Sequence, residues 1–102
     1  MMATPVTVST SREGDGQVVL KASGELDMSN VDGFGRALAE AVALADGKPV
    51  RVDLVEVEYL DSGAINALFA YADRVRLHAN TVLLPVLEIS GLTDVMSVEV
   101  GG

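Results

Sequence analysis

The stretch that decides the fold reads Val50-Arg51-Val52-Asp53-Leu54-Val55-Glu56-Val57-Glu58-Tyr59-Leu60-Asp61-Ser62-Gly63-Ala64-Ile65. Residues 50–54 have the pattern of a short apolar strand, and a polar link and Tyr59-Leu60 follow it. From Ser62 onward, apolar residues recur every three or four positions as far as His78, which predicts a helix with one buried stripe. Ser62 stands where an N-cap is expected, because its hydroxyl can accept a hydrogen bond from a first-turn backbone N–H. The positive end of the helix dipole would also stabilise an anion there.

Strands and helices alternate on either side of this stretch. Two strands, 6–10 and 17–23, flank the turn Glu13-Gly14-Asp15-Gly16, which predicts an antiparallel hairpin. A helix with Ser29 or Asn30 as its N-cap ends at Asp46-Gly47-Lys48-Pro49. We expect Asn80 to end the 62–78 helix, and the remaining elements to be an interior strand at 81–84, a short helix at 85–90 capped by Gly91, and a last strand at 95–100.

The order of these elements, β-β-α-β-α-β-α-β, predicts a single α/β domain over residues 1–102. Strands separated by helices favour parallel, right-handed crossovers with the helices packed on the sheet. We therefore expect a mixed, mostly parallel sheet of four to five strands with one antiparallel edge.

Composition narrows the class of protein. Hydrophobic residues make up 49% of the chain but aromatic residues only 4%, so the core must consist of aliphatic side chains. No cysteine is present, which excludes disulfides and cysteine-ligated metals and is compatible with the cytoplasm. No apolar run approaches the roughly 20 residues that span a bilayer, and the first residues lack the pattern of a signal peptide. We expect a cytoplasmic protein.

The formal charge of −8 limits the partners. An acidic surface repels phosphate backbones and anionic lipids, so the charge disfavours direct nucleic acid binding and membrane binding. A basic protein partner is compatible with it.

Three motifs resemble those of one family. Gly24-Glu25-Leu26-Asp27 closes the second predicted strand, Val52-Asp53-Leu54 leads through Tyr59-Leu60 to Asp61-Ser62, and Ser90-Gly91-Leu92 with Val98 precedes the end of the chain. In order and spacing they resemble the STAS domain family, in particular its free-standing anti-anti-sigma factors with the SpoIIAA-like fold. The resemblance covers essentially the whole chain.

The resemblance implies a function in partner switching. The serine after the aspartate in this motif is phosphorylated by an anti-sigma factor that is also a serine kinase, and a phosphatase resets it; here that serine is Ser62. The unmodified anti-sigma factor antagonist binds its partner and frees the sigma factor, which regulates transcription. By resemblance, the partner-binding residues are Asp27, Asp61, Ser62, Gly63, Ile65 and Asn66. A phosphoserine would add about −1.5 to −2 charges beside Asp61, and near Asp27 if the two loops share one sheet edge.

Two departures and two alternatives accompany this interpretation. Family members often read Asp-Ser-Ser-Gly-Leu-Gly where this chain has Asp61-Ser62-Gly63-Ala64-Ile65-Asn66, and the segment between the fourth predicted strand and Gly91 is short. STAS domains also serve as regulatory subunits of membrane transporters and lipid-transport ATPases, where Ser62 would be only a helix cap. A small-ligand sensor is a further alternative and would need a pocket beneath Leu26, Tyr59 and Leu60.

The sequence disfavours an enzyme. His78 is the only histidine and, in this interpretation, lies at a helix end. No Gly-x-Ser-x-Gly elbow surrounds Ser62, and no glycine-rich phosphate loop is present. We therefore expect no catalytic residues, no metal and no cofactor.

Overall fold

The sheet of this protein follows the chain from one edge to the other. A computed structural model describes residues 6–101. Their elements are β1 (Thr7–Arg12), β2 (Val18–Leu26), α1 (Val31–Leu44), β3 (Val50–Leu60), α2 (Ser62–Ala70), a 3-10 turn (Ala72–Arg74), β4 (Val75–Ala79), α3 (Leu84–Ser90), α4 (Leu92–Val95) and β5 (Ser97–Val100). The sheet order is β1-β2-β3-β4-β5, with β1 antiparallel and the other pairs parallel. The predicted α/β class, element order and antiparallel edge are confirmed.

The sheet buries one face and leaves the other open. In β3, Val50, Val52 and Leu54 are fully buried, whereas Arg51 and Asp53 between them are only half-buried. Strands β2 to β5 follow one another across the sheet in a single direction. Right-handed crossovers between such strands place every helix on the same face of the sheet. The opposite face, here called the open face, carries polar and charged residues, among them Lys21, Arg51, Asp53, Arg76, His78 and Glu99.

The core lies between the buried face and the helices. Phe34 and Leu38 of α1, Leu68 of α2 and Leu87 of α3 are all fully buried against it. Their burial stabilises the domain by about 1.5–3 kcal/mol per side chain. The expected aliphatic core is therefore confirmed, with Phe34 as its aromatic member.

The predicted helix over residues 62–78 is wrong in its second half. The helix α2 ends at Ala70, and Val75–Ala79 forms the fourth strand. Val75, Leu77 and Ala79 are buried while Arg76 is exposed and His78 half-buried, which is the two-residue period of a strand with one covered face. His78 therefore lies within a strand and not at a helix end, and Asn80 follows a strand and ends no helix.

The predicted strand over residues 81–84 is also wrong. This segment is a turn that leads into α3, and the interior position beside β3 belongs to β4. The predicted short helix is confirmed as Leu84–Ser90, with Gly91 as its left-handed C-cap at φ 88°. The segment between the fourth strand and Gly91 was expected to be short because that strand was placed at 81–84. Since β4 ends at Ala79, the segment is longer than expected.

Strands β2 and β3 extend beyond their predicted ends. The supposed polar link after Leu54 belongs to β3, which continues to Leu60. Register shifts between Lys21 and Ser23 and between Gly24 and Glu25 accommodate this extension, and Gly24 has φ 99° at the second shift. A positive φ favours glycine, so the sequence permits the irregular pairing there. The extension sets the ends of β2 and β3 side by side.

Candidate functional site

The loops after β2 and β3 meet at one edge of the sheet. Leu26 pairs with Leu60, and each is followed directly by an aspartate, Asp27 and Asp61. The backbone N–H of Asp61 donates to the carbonyl oxygen of Leu26 at 2.7 Å. The two loops therefore share one sheet edge, which is the condition under which a charge on Ser62 would lie near Asp27.

Asp61, and not Ser62, is the N-cap of α2. Asp61 has extended backbone angles, φ −71° and ψ 157°, and its Oδ1 accepts from the N–H of Gly63 at 2.9 Å. Ser62 is the first residue of the helix, and it is exposed. The predicted N-cap at Ser62 is wrong, because the carboxylate one position earlier already accepts the first-turn donor.

The Asp27 carboxylate is held by the turn that follows it. The backbone N–H of Ser29 donates to Asp27 Oδ1 at 2.9 Å, and the Ser29 hydroxyl donates to the same oxygen. These two hydrogen bonds lower the pKa of Asp27 below its ordinary value, and the bond from the Ser29 hydroxyl has the larger effect. Asp27 is therefore ionised at neutral pH and braces the turn.

Asn30 stabilises the same turn. Its Oδ1 accepts from the N–H of Asp27 at 3.0 Å, and its Nδ2 donates to the carbonyl oxygen of Glu25 at 2.9 Å. Asn30 occupies the N-cap position of α1, but its side chain makes no capping hydrogen bond to that helix. Of the two predicted caps, Asn30 has the position and Ser29 does not, and both side chains serve the Asp27 turn.

The first turns of α1 and α2 approach each other closely. A Cβ atom built on Gly63 would lie 3.2 Å from both methyl carbons of Val31. Between the two helices runs an open groove of about 710 Å3, here called the α1–α2 groove, lined by Val31, Asp32, Gly35, Arg36, Ala39, Gly63, Asn66 and Ala67. Small residues on both helices leave this groove unfilled.

Five of the six predicted partner-binding residues lie at or beside this edge, and Asp27 and Asp61 are the two that follow the paired strands. Gly63 and Asn66 line the α1–α2 groove, and Ser62 lies at the head of the same helix. Ile65, by contrast, is only 8% exposed and belongs to the core, so it supports this surface from beneath.

Sequence reasoning missed several surface residues at this site. Val31, Gly35 and Ala39 of α1 line the groove, and their spacing of four was a readable sign of one helix face. Met28 is 82% exposed and Tyr59 is 50% exposed, although both are large and apolar in part. They neighbour Asp27 and Asp61 in sequence and enlarge the apolar surface at this edge.

Comparison with known families identifies the chain. Residues 9–99 match the family model described as Mlab, STAS domain. The chain belongs to this STAS domain family. No curated protein matches it.

Solved structures show the same fold as this STAS domain. An anti-sigma factor antagonist from Mycobacterium paratuberculosis superposes with a TM-score of 0.82 at 24% identity, covering 96% of this chain and 90% of the other. The anti-sigma factor antagonist SpoIIAA in its unphosphorylated form gives a TM-score of 0.72 at 16% identity, covering 90% of this chain and 87% of the other. The SpoIIAA-like fold predicted from the sequence is confirmed.

The described residues of the STAS domain form neither a cluster for a metal ion nor a helix that could span a membrane. Within residues 6–101, no group of three or more His, Asp or Glu side chains is placed to hold a metal ion. None of the helices in this part of the chain combines the length and the apolar character that crossing a bilayer requires.

Proposed function

We propose that this STAS domain is an anti-sigma factor antagonist whose binding to an anti-sigma factor is controlled by phosphorylation of Ser62. The observation that carries the proposal is the position of Ser62. It is exposed on the first residue of α2, at the edge where the Asp27 and Asp61 loops meet and at the head of the α1–α2 groove. A hydroxyl there is accessible to a kinase and adjoins a surface with unfilled apolar space.

In the proposed bound state, the partner covers this edge of the domain. The α1–α2 groove receives its side chains, and Met28 and Tyr59 bury apolar area that is now exposed. Asp27, Asp61 and Asp32 supply negative charge around the contact, which suits a partner with basic residues. Gly63 and Asn66 line the groove beside Ser62.

Phosphorylation of Ser62 opposes this contact by charge. The phosphate adds about −1.5 to −2 charges beside Asp61. Asp61 already accepts from Gly63 through its side chain and from Ala64 and Ile65 through its carbonyl oxygen, so the nearest helix donors are occupied. Much of the new charge would then remain uncompensated and would disfavour a packed interface, while the free domain keeps it in solvent.

The proposal extends to the rest of the switch. The anti-sigma factor is also the serine kinase that modifies Ser62, and a separate phosphatase resets the cycle. The switch acts in the cytoplasm, and the domain itself acts by binding without catalysis, metal or cofactor. Its neighbours of known structure that are described as anti-sigma factor antagonists support this proposal through their fold.

A second candidate function is that of a regulatory subunit of a membrane transporter or lipid-transport ATPase complex. One observation favours it: the matching family model is described as Mlab and not as an antagonist. In that function the same edge would bind its partner constitutively, and Ser62 would be a surface residue at a helix start.

Recovery of partners from native cells tests the proposal. Wild type, Ser62→Ala and Ser62→Asp are expressed as bait, and retained proteins are identified by mass spectrometry. Ser11→Asp is the matched control, because it places the same charge on an exposed serine of β1. We expect a serine kinase with wild type, Ser62→Ala and Ser11→Asp, and its loss with Ser62→Asp. Retention of one partner by all four baits contradicts the switch, and a transporter or ATPase among them supports the second function.

A further inference from the structure

The open face of the sheet places two arginines directly opposite each other. Arg51 of β3 pairs in register with Arg76 of β4, and both side chains lie on the face that no helix covers. Like charges opposite each other in neighbouring strands are destabilising. The chain has 15 acidic residues and only seven lysines and arginines, so two adjacent arginines are a concentrated use of scarce positive charge.

Carboxylates do not neutralise this pair. Within the described part of the chain, the ion pair on this face joins Lys21 to Glu56 at 3.0 Å, and neither Arg51 nor Arg76 has an acidic oxygen within 4.0 Å. Arg51 instead donates from a guanidinium nitrogen to Nδ1 of His78 at 3.0 Å. Because a guanidinium can only donate, Nδ1 is the acceptor in this bond, and Nε2 is the ring nitrogen that can donate to a ligand.

A small cleft opens between these side chains. It has a volume of about 90 Å3 and is lined by Gln17, Arg51, Arg76, Leu77, His78 and Glu99. A cleft of this size can hold one tetrahedral oxyanion against these side chains.

We propose that Arg51, Arg76 and His78 form a binding site for a phosphate-like oxyanion on the open face. Guanidinium groups match the geometry of such oxyanions through paired N–H donors, and Arg51 has donors left beyond the one given to His78. Bound between the arginines, the anion would relieve their mutual repulsion. The ligand is a free inorganic oxyanion or the phosphate end of a small molecule, because the net charge of −8 opposes approach to an anionic membrane.

Two carboxylates limit the affinity. Asp53 and Glu99 pair in register with His78 from the two neighbouring strands. Asp53 accepts from the N–H of Val55 at 3.0 Å, whereas Glu99 lines the cleft itself. Glu99 therefore repels the anion at short range, so the Glu99→Gln variant should bind the anion more tightly than the wild type does.

Titration of the isolated domain with sulfate, followed by NMR, tests the site. Sulfate is the probe because it is a tetrahedral oxyanion that carries two negative charges at neutral pH. We expect saturable shifts at Arg51, Arg76 and His78, a loss of affinity of about tenfold or more in Arg51→Gln and Arg76→Gln, and tighter binding by Glu99→Gln. Arg36→Gln, which removes one charge from α1 on the other side of the sheet, should bind sulfate as the wild type does.

Unsaturable shifts, or equal weakening by Arg36→Gln and Arg76→Gln, would overturn the site in favour of general charge screening. Weaker binding by Glu99→Gln would overturn it as well. Sedimentation with phosphatidylglycerol vesicles separates the sources of the anion: a free ligand predicts no sedimentation, whereas sedimentation that Arg76→Gln abolishes assigns the same site to a lipid headgroup. These measurements use no protein partner, so their outcome is independent of the Ser62 switch.

Discussion

The backbone N–H of Asp61 donates to the carbonyl oxygen of Leu26 across 2.7 Å, although the two residues belong to different strand–helix connections. The bond closes the pairing of β2 with β3 at the point where both strands end. It makes the Asp27 turn and the start of α2 one structural unit. A partner that contacts one loop is therefore in position to contact the other.

Replacing Asp61 should show which residue caps α2. We expect Asp61→Ala to lower the free energy of unfolding by about 1 kcal/mol, because the N–H of Gly63 loses its acceptor. Asp61→Asn keeps an acceptor oxygen and should cost much less. Ser62→Ala should leave stability unchanged, because Ser62 is not the cap. Urea denaturation measures all three, and an equal loss in Ser62→Ala and Asp61→Ala would contradict this assignment.

The Asp27 turn should respond to acid. A carboxylate whose pKa is lowered by folding stabilises the folded state above its ordinary pKa and loses that contribution as the pH falls through the folded value. The contribution of Asp27 is thus present at neutral pH and declines below about pH 4. Carboxyl NMR titration of wild type and Ser29→Ala tests the cause. The pKa of Asp27 should rise in Ser29→Ala, and an unchanged value would show that the Ser29 hydroxyl has no part in it.

Asn80 should stabilise the extension of β3 that leads to Ser62. Its Nδ2 donates to the carbonyl oxygens of Val55 and Val57, each at 2.8 Å, and its Oδ1 accepts from the N–H of Leu83 at 3.1 Å. Asn80→Ala should cost about 1–3 kcal/mol of unfolding free energy. Asn80→Asp should cost more, because a carboxylate would face two carbonyl oxygens.

The same substitutions at Asn66 provide the control for Asn80. Asn66 is exposed on α2, so Asn66→Ala and Asn66→Asp should change thermal stability little. Comparable losses at the two asparagines would mean that the three hydrogen bonds of Asn80 contribute nothing beyond helix and turn preferences.

The two phenylalanines should differ sharply in their contribution to stability. Phe34 is fully buried under α1, whereas Phe69 is 37% exposed at the end of α2. Phe34→Ala should lower the unfolding free energy by about 3–5 kcal/mol. Phe69→Ala should lower it by clearly less, and chemical denaturation of the pair decides the matter. Similar values would place Phe69 in the core as well.

Sequence reasoning succeeded where local patterns and tertiary structure agree. The hairpin, α1, the apolar start of β3, the start of α2 and the Gly91 cap all follow from periodicity and turn residues. The shared edge of the Asp27 and Asp61 loops was a condition that the sequence left open, and the pairing of β2 with β3 meets it. The α/β class and most elements were therefore readable from residue types, whereas the SpoIIAA-like fold was predicted from the resemblance of three motifs to one family.

The errors lie where the same residues fit both the period of a helix and the period of a strand. Residues 72–76 fit a helical stripe, yet Val75-Arg76-Leu77-His78-Ala79 also alternates, and pairing between β3 and β5 decides for the strand. The cap of α2 is a local hydrogen bond from Gly63 to Asp61, so that error was a choice between two neighbouring cap residues. The burial of Ile65, by contrast, depends on packing against other elements. The groove beside Ser62 and the arginine pair on the open face depend on which residues become neighbours across elements. No local pattern contains that information.

The sheet order β1-β2-β3-β4-β5 also has a consequence for how the chain reaches its native state. Each new strand joins the free edge left by the one before it, and none has to be inserted between two strands that are already paired. No strand pairing therefore has to wait for a strand that comes later in the chain. Once the hairpin of β1 and β2 has formed, β3, β4 and β5 can pair with the growing sheet in the order in which they are synthesised.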